Sequence, residues 1–145
     1  MGDKFKIRED SPSVQSHLNI LQNVVQRMAS NSSASKAWCI TLVSAILVIV
    51  ADKGKSHYAL ISIIPTILFF VLDTYYLALE KGFRNSYNDF INKLHSEEIK
   101  TEDLFDVKPK GKLASLFWES IKSFSIWPFY LTLLLMIYVT KILVL

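Results

Sequence analysis

The chain has 145 residues, of which 51% are hydrophobic, with four Gly, four Pro and a net charge of +3. The apolar residues are gathered in a few blocks rather than spread in amphipathic patterns, which argues for an integral membrane protein over a soluble domain. The basic residues are scattered over several segments, so nucleic-acid binding is not indicated, and the single Cys39 excludes a disulfide framework or a Cys-based metal site.

In chain order, "MGDKFKIREDSP" has no apolar core and no cleavage site, so it does not read as a signal peptide. Gly2 does not make a myristoylation signal, because Lys6 stands where that motif wants Ser or Thr. Ser11 and Pro12 then supply a helix start, as N-cap and first helical residue. Val14, Leu18, Leu21, Val25 and Met28 recur at spacings of four and three, the stripe of a helix that pairs with another. Little more than two heptads long, the stripe serves either as a seam within the chain or as a zipper between copies.

Three apolar blocks follow. The first is Ala37 to Ala51, shorter than the ~20 residues of a perpendicular span but anchored by Trp38. "DKGKSH" ties it in a tight antiparallel hairpin to the second, Tyr58 to about Leu79, which contains Pro65 and Asp73. That proline is tolerable where neighbouring helices re-satisfy a freed carbonyl. The third is Ser125 to Leu145, with Trp127 and Tyr130 placed as an interfacial belt and Lys141 able to snorkel near its far end. The expected fold is all-α, a multi-pass helical membrane protein with three transmembrane helices and a small cytoplasmic helical region. Its parts are an amino-terminal helix over 1–36, a transmembrane hairpin over 37–80, a helical connector over 81–124, and the third span over 125–145.

Basic residues fix the expected orientation. Lys4, Lys6, Arg8, Arg27 and Lys36 precede the first span; Lys53 and Lys55 lie in the hairpin loop; the connector carries Lys81, Arg84, Lys93, Lys100, Lys108, Lys110, Lys112 and Lys122. The positive-inside rule puts the amino terminus and the connector in the cytoplasm and the carboxyl terminus outside. Phe83, Tyr87, Phe90, Ile91 and Leu94 extend the second membrane helix into a stalk, and Pro109 and Gly111 mark a loop beyond it, with Thr101 placed to cap a short turn. Leu113, Leu116, Phe117, Ile121 and Phe124 form one face of a helix that either lies in the membrane interface or packs on the stalk.

Asp73 is the anomaly, because a charge inside a spanning block should face protein or water. Asp73, Tyr76, Glu80, Arg84 and Tyr87 fall within about 80° of one another on a helical wheel, forming one polar stripe. Glu80 and Arg84 are spaced for an intrahelical pair. Asp73 has no basic residue four positions away, so its partner comes from elsewhere: Thr41, Ser44 or Lys36 on the first span as a lock for the hairpin, water in a lumen shared by several subunits, or a proton relay. His17, His57 and His95 are far apart, and no metal spacing, phosphate-cradling loop or nucleophile motif is present. No enzyme, metal or cofactor is expected.

The helix leading into span one, "NVVQRMASNSSASKAWCITLVSAIL", the short hairpin loop, and "LDTYYLALEKGFRNSYNDF" closing span two together resemble small bacterial membrane proteins of the SLATT kind. The resemblance covers roughly residues 14 to 94 and is architectural; the third span departs from its simplest two-span plan. It implies an oligomeric pore or membrane-perturbing effector of an anti-phage immunity system in the bacterial inner membrane, held inactive until a protein partner or nucleotide signal arrives. The small-residue face Ala37, Thr41, Ser44 and Ala45 permits close contacts in such a homo-oligomer. The other class is a structural or accessory subunit that anchors a cytoplasmic partner to the bilayer.

Overall fold

The computed structural model describes residues 9–143, and every regular element among them is helical. Expectations about residues 1–8 (Gly2, Lys6 and the first basic residues) and about Val144 and Leu145 lie outside the described residues. Four α-helices make the framework: α1, Pro12–Lys53; α2, Ile63–His95; α3, Leu113–Ile121; and α4, Trp127–Leu143.

The start of α1 is set as its residues dictate. The Val14 N–H donates to Ser11 Oγ at 3.4 Å, and Pro12 loses nothing at a position whose N–H has no helical acceptor. No break follows at residue 36. Polar stretches rich in Ser and Asn favour caps only when backbone groups lie free, and "SNSSASK" (30–36) contains no Gly or Pro to release them. The expected amino-terminal helix and first span are therefore one helix of 42 residues, about 63 Å long. It ends at Gly54, whose φ of 61° is the left-handed cap that glycine adopts without a Cβ penalty.

The return begins as a tighter 3₁₀ segment, Ser56–Ser62, before α2 takes over. Pro65 consequently falls in the first turn of α2, where a missing N–H costs little, and not in the middle of a span. α2 then runs unbroken for 33 residues, so the second span and the expected stalk are also one helix. Ser96 closes it; the linker 96–112 makes a short 3₁₀ turn at Thr101–Asp103, in which the Asp103 carboxylate, not Thr101, caps the Lys100 N–H at 2.9 Å.

α1 and α2 pack along their length as an antiparallel pair, and α4 lies against the hairpin-turn half of both. Cys39, Val43, Leu47 and Val50 of α1 meet Ala59 and Ile126, Tyr130, Leu133 and Ile137 to form one core. The outer surface of this half is apolar as well: Val48 is 69% exposed, Ile64 70% and Leu135 60%, side chains that water would not leave bare in a compact soluble fold. α1 and the helical stretch Ser56–His95 are each long and apolar enough to cross a membrane, and α4 is a shorter apolar helix.

The other half is a headpiece. Val14, Phe90 and Leu94 are buried there with Leu18, Ile99 and Leu104 packed around them. Val14, Leu21 and Met28 are buried within the chain, so the heptad stripe is spent on α2 and is not free to zip two copies together. α3 settles on α2 through Leu116 and a 2.8 Å Lys81–Glu119 ion pair, yet leaves Trp118 exposed. It thus has the packed face of a stalk helix and the bare aromatic of an interfacial one.

Candidate functional site

Asp73 is completely buried and belongs to a node in which three helices meet. Ser32 and Lys36, four residues apart, point from one face of α1, and Tyr130 comes from the first turn of α4. Lys36 Nζ lies 2.8 Å from Oδ1 and 2.7 Å from Oδ2 of Asp73. Ser32 Oγ donates to Oδ1 at 2.5 Å, and the Tyr130 hydroxyl donates to Oδ2 at 3.2 Å. Lys36 also reaches Ser32 Oγ at 3.3 Å, so the serine both donates and accepts. Edge-on contacts hold the Tyr130 ring, with Phe70 at 5.2 Å and Phe129 at 5.0 Å between centroids.

The carboxylate is thereby compensated in charge and in hydrogen bonds, which is what lets an ionised group stay out of water. Its position along the bundle explains its presence in an apolar run. Lys36 is about 25 Å along α1 from Lys53 at the hairpin turn, close to the full apolar depth of a bilayer. Asp73 sits beside it, at the end of the apolar stretch and not at its middle. Trp38, two residues after Lys36 on α1, and Trp127, three before Tyr130 on α4, are both exposed.

Of the residues the sequence offered as partners, the structure brings Lys36 to Asp73 but not Thr41 or Ser44. Thr41 is exposed and spends its hydroxyl on the Ala37 carbonyl at 2.8 Å; Ser44 is half-buried on α1 and not among the groups bonded to Asp73. The reason is register. Asp73 is 17 residues beyond Ser56 and Lys36 is 17 before Lys53, so two antiparallel helices leaving one turn bring these residues level, and the steeper 3₁₀ rise of Ser56–Ser62 adds roughly 3–4 Å, about two residues, toward Ser32. Asp73 therefore lies opposite 32–36 and not opposite 41–44. Gln22 donates to Tyr87 at 3.3 Å fourteen residues away on each helix, about four turns, so the same register persists into the headpiece.

The polar stripe of α2 is a seam facing α1 at its two ends. Asp73 and Glu80 are buried, Tyr76 and Tyr87 half-buried, and Arg84 reaches back to Glu80 at 2.8 Å from an exposed position. Ser32 and Tyr130 are the partners that sequence reasoning missed. Ser32 was legible as the residue four before Lys36, and Tyr130 as a hydroxyl in an apolar block, but only the packing of α4 brings the latter within reach.

Among the described residues, no group of three or more His, Cys, Asp or Glu is arranged to hold a metal ion. The chain matches no family model, no curated protein and no solved structure in comparisons with known proteins.

Proposed function

We propose that this chain is a bacterial inner-membrane protein that transmits a state of its cytoplasmic headpiece into a membrane-embedded helical bundle, and acts there as a homo-oligomeric, membrane-perturbing effector of an anti-phage system. The observation that carries the reading is the Asp73 node: one buried carboxylate ties α1, α2 and α4 together where the headpiece joins the apolar bundle. α4 is the third span in this reading, and the exposure of Trp118, Phe124 and Trp127 supports an inner headgroup layer around α3 and the start of α4. The amino terminus is cytoplasmic and the carboxyl terminus outside.

Assembly falls to the face of α1 that the chain leaves uncovered. Ala37, Thr41 and Ala45 are exposed at intervals of four, a small-residue face along which helices of two copies approach closely. Asp73 takes no part in a lumen, since its oxygens are engaged inside one chain; any conducting path runs between copies. The trigger is a protein partner or a nucleotide signal at the headpiece.

Purified protein in mild detergent is expected to run as a homo-oligomer by light scattering and to release ions from liposomes. Ala45→Leu, which fills the small-residue face without touching the node, is expected to reduce both mass and flux. A monomer at high concentration would remove the effector reading. The second reading, an accessory subunit that anchors a partner, is favoured by the completeness of the Asp73 lock, which a purely structural hairpin would also need; an oligomer without flux is its signature.

A further inference from the structure

His17 is 1% exposed, which is unusual for a residue that titrates near neutrality, and it stands at a core position of α1 between Val14 and Leu21. Its ring lies 4.3 Å from that of Phe90 on α2 and 6.3 Å, edge-on, from that of Phe105 in the linker. Its Nδ1 accepts the backbone N–H of Phe105 at 2.9 Å. A histidine that accepts at Nδ1 is neutral and carries its proton on Nε2. Phe105 itself has φ of 66°, a left-handed conformation that costs a bulky side chain free energy and persists only while neighbours impose it. A neutral imidazole thus pins a strained residue.

We propose that His17 is a pH-operated latch: protonation abolishes the acceptor that holds Phe105 in its strained conformation and so releases the Phe105 segment of the linker from α1 and α2. The charged ring has two N–H donors and no lone pair, so Nδ1–H would confront the Phe105 N–H, donor against donor. Asp103 and Asp106 of the linker are close enough to act on His17. From α2, Asp89 and Lys93 face the same small cavity of about 230 Å³, with Lys108 and Lys110 across it. Those groups are mostly committed to one another: Lys93 to Asp103 at 2.7 Å, Lys108 to Asp106 at 3.0 Å, and Lys110 to Asp89.

Burial holds His17 below the ordinary histidine value, and the two aspartates pull it part of the way back. The latch is therefore closed at neutral pH and opens as pH falls below about 6.5. Its effect travels along the linker, because Pro109 rests on Gly82 of α2 and the Lys110 N–H donates to the Gly82 carbonyl at 2.9 Å just before α3 begins. The inference does not depend on the effector reading, since linker release is measured without flux or assembly.

The test uses full-length protein in lipid nanodiscs with Cys39→Ala, and spin labels at Asn19 on α1 and Glu102 in the linker, both exposed. Distance distributions are compared at about pH 7.5 and about pH 5.5. One narrow population is expected at the higher pH and an additional, longer one at the lower, reversibly. His17→Gln, which keeps a neutral acceptor, is expected to stay narrow at both. A wild-type distribution that ignores pH, or a His17→Gln protein that responds like wild type, overturns the latch. If His17→Gln is broad at both values, NMR decides: the Phe105 amide resonance shares its titration midpoint with the His17 ring if the latch operates, and a separate midpoint refutes it.

Discussion

The two halves of the molecule hold themselves together in different ways. The bundle half has an apolar core and an apolar exterior, and almost all of its specific polar contact is concentrated in the four side chains around Asp73. The headpiece has a core of only a few apolar residues and is strapped by many separate polar ties, among them Ser86 to the Lys108 carbonyl, Lys110 to Gly82, and Lys93 to Asp103. A contact in the first half has few competitors, because little water is at hand to replace it; each tie in the second competes with solvent and is individually modest. One region stands or falls on a single node, whereas the other loosens by degrees.

The largest effect that would sharpen this contrast is at the node. Lys36→Met leaves the buried Asp73 carboxylate with two hydroxyl donors and no countercharge, and is expected to cost about 3–5 kcal/mol. Lys36→Met combined with Asp73→Leu removes both charges and should recover most of that loss, as buried pairs often do when replaced together. Unfolding of the detergent-solubilised protein against a denaturing detergent measures both. Equal losses in the single and double variants would mean that the node is not a charge-compensated lock.

A smaller effect is expected at the junction of linker and stalk. A Cβ on Gly82 would stand 2.7 Å from the Pro109 Cβ, closer than real contacts allow, and 3.3 Å from Leu116 Cδ1. Gly82→Ala is expected to cost about 1–3 kcal/mol and to expose the linker 96–112 to protease while leaving the node intact. Unchanged cleavage in this variant would show that the linker does not depend on that approach.

The smallest effect is the acid response of the linker's ion pair. The Lys93 ammonium, and then the Lys100 backbone N–H, hold the Asp103 carboxyl below its ordinary value. A carboxylate depressed in the folded state contributes stability that is present above about pH 4 and lost as pH falls through the folded value. Lys93 is raised by the same bond, so its share is lost only as pH climbs above the ordinary lysine range. Both groups are largely solvated, so the expected change is slight. Asp103→Asn should flatten the drop in linker protection below about pH 4 and, because Asp103 also raises His17, move the response near neutrality to lower pH without abolishing it; loss of both would tie the two titrations to one group.

What the sequence determined by itself was whatever a single helix decides. The 3.6-residue period gave helices, Ser11–Pro12 gave the start of α1, and the apolar blocks marked the bundle half, because caps, propensities and hydropathy act over a few neighbouring residues. The polar stripe from Asp73 to Tyr87 and the seam from Val14 to Met28 were legible for the same reason. What only the tertiary structure decided was which faces meet. The place of the turn, extended slightly by the 3₁₀ segment after it, sets the register that brings Ser32 and Lys36, and not Thr41 and Ser44, opposite Asp73. Tyr130 reaches the node across 57 residues of chain, and His17 finds Phe105 across 88. Contacts at such separations depend on the summed rise of every intervening element and on how α4 and the linker fold back, quantities that no local window of residues contains.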